Sequence, residues 1–129
     1  MLAGFLLIGC GSSKSKGTAE KAVVEFHHKL DNGDFGGIYA ATHPDFKKAS
    51  AEKDFVAVLA AVHRKLGNTV SADQAGWQIN TINLQTNVML SYKTQFADGD
   101  AVESFNYRID GANALLLGYN INSQALITK

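Results

Sequence analysis

The sequence has one cysteine, Cys10, and one proline, Pro44. A single cysteine excludes a disulfide bond within the chain, and it excludes a metal site built from several cysteines. Charge of either sign is not in excess, because 12 basic residues balance 12 acidic ones and the formal net charge is zero. A neutral chain lacks the positive field that draws proteins to nucleic acid, so we expect no nucleic-acid partner.

Motifs for catalysis or cofactor binding are also missing. The sequence contains no phosphate-binding loop, no nucleophile elbow and no zinc signature, and we therefore expect no cofactor. His27 and Asp31 stand one helical turn apart and could join His63 around a metal ion. Histidines in solvent or near helix ends are the favoured interpretation, so we predict no metal site. The 129 residues, 46% of them hydrophobic, suit one packed domain.

The N-terminus carries a short apolar run, Leu2–Ile8. It is far shorter than the ~18 apolar residues of a membrane-spanning helix, and such a run is typical of the end of a signal peptide. It leads into Leu7-Ile8-Gly9-Cys10, which resembles the lipobox of bacterial lipoproteins. In that family a small residue before the cysteine admits the signal peptidase, and the thiol takes up a diacylglycerol. The alternative is the start of a buried helix with an ordinary core cysteine.

This resemblance implies a signal peptide over residues 1–9, a lipid on Cys10 and a tether over residues 10–18. The tether interpretation rests on the small polar residues GSSKSKG that follow the cysteine. A basic segment at the start is missing, which a start codon assigned too late or a shortened sequence would explain. Gly11 and Ser12 do not resemble an inner-membrane retention signal. We therefore expect anchoring in the bacterial envelope, at the outer membrane facing the periplasm if the host is Gram-negative.

Three helices are predicted before residue 68. The first begins at a Thr18 cap and runs to Leu30, with apolar residues at helical spacing. A second, short helix covers 35–41 and ends before Pro44. The third begins at a Ser50 cap and ends at Gly67 in a left-handed conformation. Its buried stripe is Phe55, Leu59, Val62 and Leu66.

After Gly67 the apolar residues alternate with polar ones, which predicts β-strands. The strands contain Trp77–Ile82, then Asn87–Phe96, then Phe105–Ile109, and finally Leu115–Ile121. The predicted fold class is α+β: three N-terminal helices packed on a curved antiparallel sheet of about four strands, forming a cone. We expect the sheet to wrap the third helix and to leave a cavity between them, in a single domain over residues 19–129.

The order of these segments resembles the nuclear-transport-factor-2-like, or cystatin-like, superfamily. More narrowly, it is similar to a family of uncharacterised domains common in bacterial lipoproteins. The matching segments span about residues 19 to 123 and are Asp31-Asn32-Gly33-Asp34-Phe35 with Tyr39 and Phe46, Val62-His63-Arg64-Lys65-Leu66-Gly67, Tyr92-Lys93-Thr94-Gln95-Phe96, Ala101-Val102-Glu103-Ser104-Phe105 and Gly118-Tyr119-Asn120-Ile121-Asn122-Ser123. The resemblance implies a fold and a location rather than an activity.

Inward-facing aromatic and aliphatic residues are the candidate cavity lining, as the resemblance implies. They are Trp77, Tyr92, Phe105, Tyr107, Tyr119, Leu59 and Val62. The alternative is that they fill the core and bind nothing. Buried tyrosines need hydrogen-bond partners, which a polar ligand could supply. Glu103 would face the same hollow and could act as an acid or base, whereas the favoured interpretation places it in water at the end of a strand.

Two classes of function remain open from the sequence. The first is a non-catalytic, lipid-anchored domain that binds a small apolar ligand or an envelope protein. The alternative is a cone-fold enzyme of isomerase or dehydratase type, with Glu103 and a cavity tyrosine as its acid–base pair. The membrane would be a partner through the lipid on Cys10. The sequence leaves the oligomeric state open, including a dimer.

Overall fold

The computed structural model describes the backbone of residues 2–128 and the side chains of residues 13–128. It confirms the α+β class, with helices preceding a curved, open antiparallel sheet in the strand order β1-β2-β3-β4. The elements are α1 (Leu2–Asp31), α2 (Phe35–Ala40), α3 (Pro44–Ala49), α4 (Glu52–Leu66), β1 (Thr69–Ile82), β2 (Gln85–Phe96), β3 (Gly99–Asp110), β4 (Asn113–Asn122) and α5 (Gln124–Thr128).

Helix α1 is the helix that lies across all four strands. Its buried residues Ala19, Val23, Phe26 and Leu30 follow the predicted helical spacing and belong to the main hydrophobic core. Helix α4 packs mainly against α2 and α5, so the expectation that the sheet wraps this helix is wrong. Both helices carry a complete apolar stripe, and periodicity does not indicate which stripe meets the sheet.

The N-terminal part of α1 differs from the predicted tether. Residues 13–18 are helical, and Lys16 forms an ion pair with Glu20 at 2.8 Å. Thr18 lies inside the helix, where its hydroxyl donates to the Lys14 carbonyl, and it is therefore not a cap. The side chain of Cys10 lies outside the described side chains, and its lipid attachment stays a prediction. None of the helices among the described residues combines the length and apolar character that crossing a membrane requires.

The segment between α2 and α4 forms a helix that the sequence reasoning missed. Pro44 is at its first turn, which suits a residue without an amide hydrogen, and the His43 ring caps it by accepting from the Asp45 amide. Helix α4 then begins after Ala51 with no side-chain cap, so the predicted Ser50 cap is wrong. Its predicted end is confirmed, because Gly67 has a φ of 77°.

Strand β4 contains a bulge that changes which leucine faces the core. Tyr107 pairs with Leu116, whereas Asn106 pairs with Gly118, so β4 has one extra residue at this point. A regular alternation through the predicted strand Leu115–Ile121 would place Leu115 and Leu117 on the inner face together with Tyr119. The bulge turns Leu116 inward instead, and Leu116 is buried.

The turn between β1 and β2 holds a leucine in an unfavourable backbone conformation. Asn83 and Leu84 have φ values of 52° and 65° and connect the paired residues Ile82 and Gln85. This is a two-residue hairpin turn with both φ values positive. In such turns asparagine at the first position is typically followed by glycine at the second, where this chain has Leu84. The Leu84 side chain is 98% exposed and contributes little packing in return.

We expect Leu84→Gly to raise the free energy of unfolding by about 0.5–1 kcal/mol, because it relieves the left-handed strain and removes no buried surface. Urea denaturation of both proteins measures the change. Ala112→Gly in the β3–β4 turn is the matched control, since Ala112 is outside the positive-φ region and glycine there should destabilise. A loss of stability in both variants would contradict the strain argument.

Candidate functional site

Glu103 lies in the middle of the inner face of the sheet. It pairs with Tyr92 on one side and Ile121 on the other, and its side chain is 0% exposed. The expectation that Glu103 sits in water at a strand end is therefore wrong. Strand β3 begins at Gly99, four residues before Glu103, and α1 covers this part of the strand.

Three side chains from three different elements surround the Glu103 carboxylate. Nε2 of His27 on α1 lies 2.7 Å from Oε1, and the Thr94 hydroxyl on β2 donates to the same oxygen at 2.6 Å. The Tyr119 hydroxyl on β4 donates to Oε2 at 2.5 Å. We call Glu103, His27, Thr94 and Tyr119 the carboxylate cluster. Its bonds connect α1 to the sheet, and charge-assisted hydrogen bonds of this kind are among the stronger ones in proteins.

The carboxylate at the centre of the cluster is closed to solvent, and of the four residues only Tyr119 is partly exposed. Glu103 and Thr94 are fully buried, and the His27 ring packs edge-on against Phe96 and Phe105. An acid–base catalyst has to come within hydrogen-bond distance of its substrate. Both oxygens of Glu103 are already occupied by protein donors, so the arrangement suits a structural link between α1 and the sheet.

Trp77 lies on the edge strand β1, and Tyr92 lies on the neighbouring inner strand β2. Trp77 pairs with Leu90 and shares its face, but it is on the edge strand and its side chain is 57% exposed. The Lys16 ammonium lies 5.4 Å from the centre of its ring, a cation–π distance. Tyr92 is buried and accepts a hydrogen bond from Gln74 at 3.3 Å. Trp77 therefore covers no enclosed cavity.

Three other candidate lining residues, Phe105, Leu59 and Val62, fill the core. Phe105 is buried and packs against Phe26 with ring centres 5.0 Å apart. Leu59 and Val62 are 0% and 1% exposed and belong to the same core. The hollow predicted between the third helix and the sheet is therefore occupied by side chains at these positions.

The candidate metal residues are not brought together. His27 faces Glu103, whereas the Asp31 carboxylate accepts from the amide and the hydroxyl of Thr69. His63 lies beside the Phe35 ring. Over the part of the chain with described side chains, no group of three metal-binding side chains is found.

An apolar groove lies between α1, α2 and the β3–β4 hairpin. Its volume is about 310 Å³, at the lower end of the range for small-molecule sites. We call it the α1–β4 groove. The chain after α2 closes against β4, where the His43 amide donates to the Leu116 carbonyl at 2.9 Å. The apolar lining comprises Ala22, Phe26, Ile38, Ala114, Leu116 and the ring of Tyr107.

Tyr107 brings a polar group to this groove. The residue is 2% exposed, and no described residue hydrogen-bonds its hydroxyl, which is not among the fully buried unpaired atoms and therefore keeps some accessible surface. Burial, followed by the nearby Tyr92 and Glu103, raises the pKa of Tyr107 well above its ordinary value. Tyr119 differs, because its hydroxyl is bonded to Glu103. The hydroxyl of Tyr107 therefore has no protein partner at the border of an open apolar space.

The sequence predicted Tyr107 as a lining residue, but it did not predict that Ala22 and Phe26 of α1 and Ile38 of α2 line the same groove. Ala22 belongs to the apolar residues at helical spacing in α1, and its small side chain leaves room beside Phe26. This small residue among larger apolar ones was the available signal. Ile38 and Leu116 come from distant segments, and only the folded chain brings them to the same space.

Comparison of the chain with protein-family models and with curated proteins finds no match. The function has to be argued from the geometry of these residues.

The three inner tyrosines predict a loss of stability at alkaline pH. Burial raises the pKa of Tyr92, Tyr107 and Tyr119 above the ordinary value of 10.0. A raised pKa in the folded state stabilises below the unfolded pKa, and this contribution falls as pH rises beyond it. We expect urea midpoints to be steady near about pH 8 and to fall above about pH 10. Tyr107→Phe should reduce the fall, and an unchanged fall would contradict the burial of this hydroxyl.

Proposed function

We propose that the chain is a lipid-anchored protein of the bacterial envelope whose domain binds a small, largely apolar molecule in the α1–β4 groove without chemical conversion. The anchor rests on the likeness of Leu7–Cys10 to a lipobox. The binding role rests on the groove and on Tyr107. The proposed place in the nuclear-transport-factor-2-like superfamily agrees with the α+β order of helices and strands.

The unpartnered Tyr107 hydroxyl is the observation that carries the binding role. The Tyr107 hydroxyl keeps some accessible surface at the groove and has no protein partner, so it is free to bond to a ligand. A ligand with one oxygen in the groove would accept from this hydroxyl, and its apolar part would displace water from Phe26, Ile38 and Leu116. The site combines an apolar surface with one fixed polar group, which is the usual composition of a ligand pocket.

The acid–base enzyme is the less supported alternative. Glu103 and Tyr119 do form the expected pair of a carboxylate and a tyrosine, at 2.5 Å. The groove is lined by neither residue, and Glu103 is fully buried. A catalytic role would need the carboxylate cluster to open, whereas binding at Tyr107 needs no rearrangement of Glu103.

Titration with octan-1-ol, followed by nuclear magnetic resonance of the backbone amides, tests the binding role. We expect saturable shifts at Ala22, Ile38, Tyr107 and Leu116. Ala22→Phe should abolish them by filling the groove, and Ala57→Phe on the exposed side of α4 should leave them unchanged. Shifts spread over the whole surface, or unaffected by Ala22→Phe, would contradict a site in the groove.

The anchor is tested separately in a bacterial host. Cys10→Ala should abolish labelling by a radioactive fatty acid and move the protein from the membrane fraction to the soluble one, because the thiol is the proposed attachment point. Ser13→Ala, in the same segment, is the control and should leave both unchanged. Unchanged labelling of Cys10→Ala would show that the lipid is not on this residue.

A further inference from the structure

The edge of the α1–β4 groove that belongs to α1 carries three charged side chains. Lys21, Glu25 and Lys29 follow one another at intervals of four residues and therefore share one face of the helix. All three border the groove, and Lys29 is half-buried. The opposite edge is formed by residues 112–116, which include no charged side chain. The charged edge is therefore net positive.

Both lysines lack an anionic partner among the described side chains. On α1, Lys16 pairs with Glu20 and His27 with Glu103, and no ion pair among the described side chains involves Lys21 or Lys29. The half-buried side chain of Lys29 lies along the groove, and a nearby anion would form an ion pair with its ammonium group. Lys29 is thus placed to receive a negative group at the border of an apolar space.

We infer that the ligand of the α1–β4 groove is an amphiphile with an anionic head, held by Lys21 and Lys29, with its apolar chain against Phe26, Ile38 and Leu116. This inference rests on the proposed binding function and adds the chemical class of the ligand. A carboxylate or phosphate head would pair with the ammonium groups. The Tyr107 hydroxyl can donate to an oxygen of the ligand farther inside the groove.

Three probes with the same alkyl chain and different head groups separate the contribution of the head-group charge to the affinity from that of the apolar chain. Octanoate, octan-1-ol and octylammonium are titrated into the full chain at low ionic strength. We expect octanoate to bind about fivefold more tightly than octan-1-ol, as one well-placed ion pair provides. Octylammonium should bind most weakly of the three, because the two lysines repel it.

Variants of the charged edge assign the preference to individual residues. Lys29→Met should lower the affinity for octanoate about fivefold and leave that for octan-1-ol within about twofold, since the apolar contacts remain. Glu25→Gln should change the octanoate affinity in the opposite direction. Lys53→Met, on an exposed lysine of α4 outside the groove, is the matched control and should change neither affinity.

The outcomes distinguish this inference from the function on which it rests. Equal affinities for the three probes, or a preference for octylammonium, would overturn the anionic head while the groove remained a binding site. Absence of saturable binding for all three would overturn the proposed function itself. An octanoate preference that Lys29→Met and Lys21→Met leave intact would place the anion elsewhere and overturn the assignment to these lysines.

Discussion

Glu103→Ala is expected to lower the free energy of unfolding by about 3–5 kcal/mol, the range for removing one partner of a buried charged network. The substitution leaves His27, Thr94 and Tyr119 without their shared acceptor, and it opens a cavity at a fully buried position. Urea denaturation near neutral pH measures the loss. Weakened attachment of α1 to the sheet should also appear as faster amide exchange in α1.

Two comparisons show whether the loss comes from the carboxylate cluster. Glu103→Gln preserves the shape and one acceptor oxygen, and its loss should be smaller, about 1–3 kcal/mol. Glu52→Ala removes an exposed glutamate from the first turn of α4 and should cost no more than about 1 kcal/mol. If Glu103→Ala cost as little as Glu52→Ala, the carboxylate cluster would not hold α1 to the sheet.

Leu59→Ala is expected to cost about 2–5 kcal/mol, from lost burial and from the cavity that remains. Leu59 is 0% exposed and does not line the α1–β4 groove, so no existing space reduces the effect. Ala57→Ser changes an exposed residue on the opposite side of α4 and should cost less than about 0.5 kcal/mol. The ratio of the two losses, measured in urea, reports the orientation of the helix.

A comparable loss at both positions would contradict the described orientation of α4. Helix α4 would then have to pack on α2 and α5 through a different face. A large loss at Leu59 alone agrees with its place in the main core, next to Val62 and Leu66.

Local patterns predicted the four strands and three of the five described helices, whereas the packing of these elements depends on contacts between distant segments. The stripe of α4, its end at Gly67 and the alternation in β2 and β3 each depend on residues close together in the chain. Which helix packs on the sheet depends on whether the apolar stripe of α1 or that of α4 contacts the strands. The bulge in β4 could not be predicted from the sequence either. It is an extra residue relative to the pairing with β3, and it changes which side chains of β4 face the core.

The same distinction applies to the candidate sites. Alternation correctly placed Tyr107 and Tyr119 on the inner face, yet it carried no information on their partners. The sequence offered His27 as a histidine in solvent or near a helix end, or as a metal ligand, whereas its bond to Glu103 joins residues 76 positions apart. The α1–β4 groove also needs α2 and the β3–β4 hairpin to meet α1. The sequence therefore predicted that Tyr107 faces inward, but it did not predict the shape of the groove.

Native mass spectrometry of the protein purified from a bacterial host without detergent exchange tests the central claim, a ligand in the α1–β4 groove. We predict a fraction of the protein with a non-covalent adduct of one small amphiphile, removed by mild activation and absent from Ala22→Phe. Ala57→Phe should retain the adduct. An unliganded wild-type protein that also takes up no octanoate or octan-1-ol would contradict the claim.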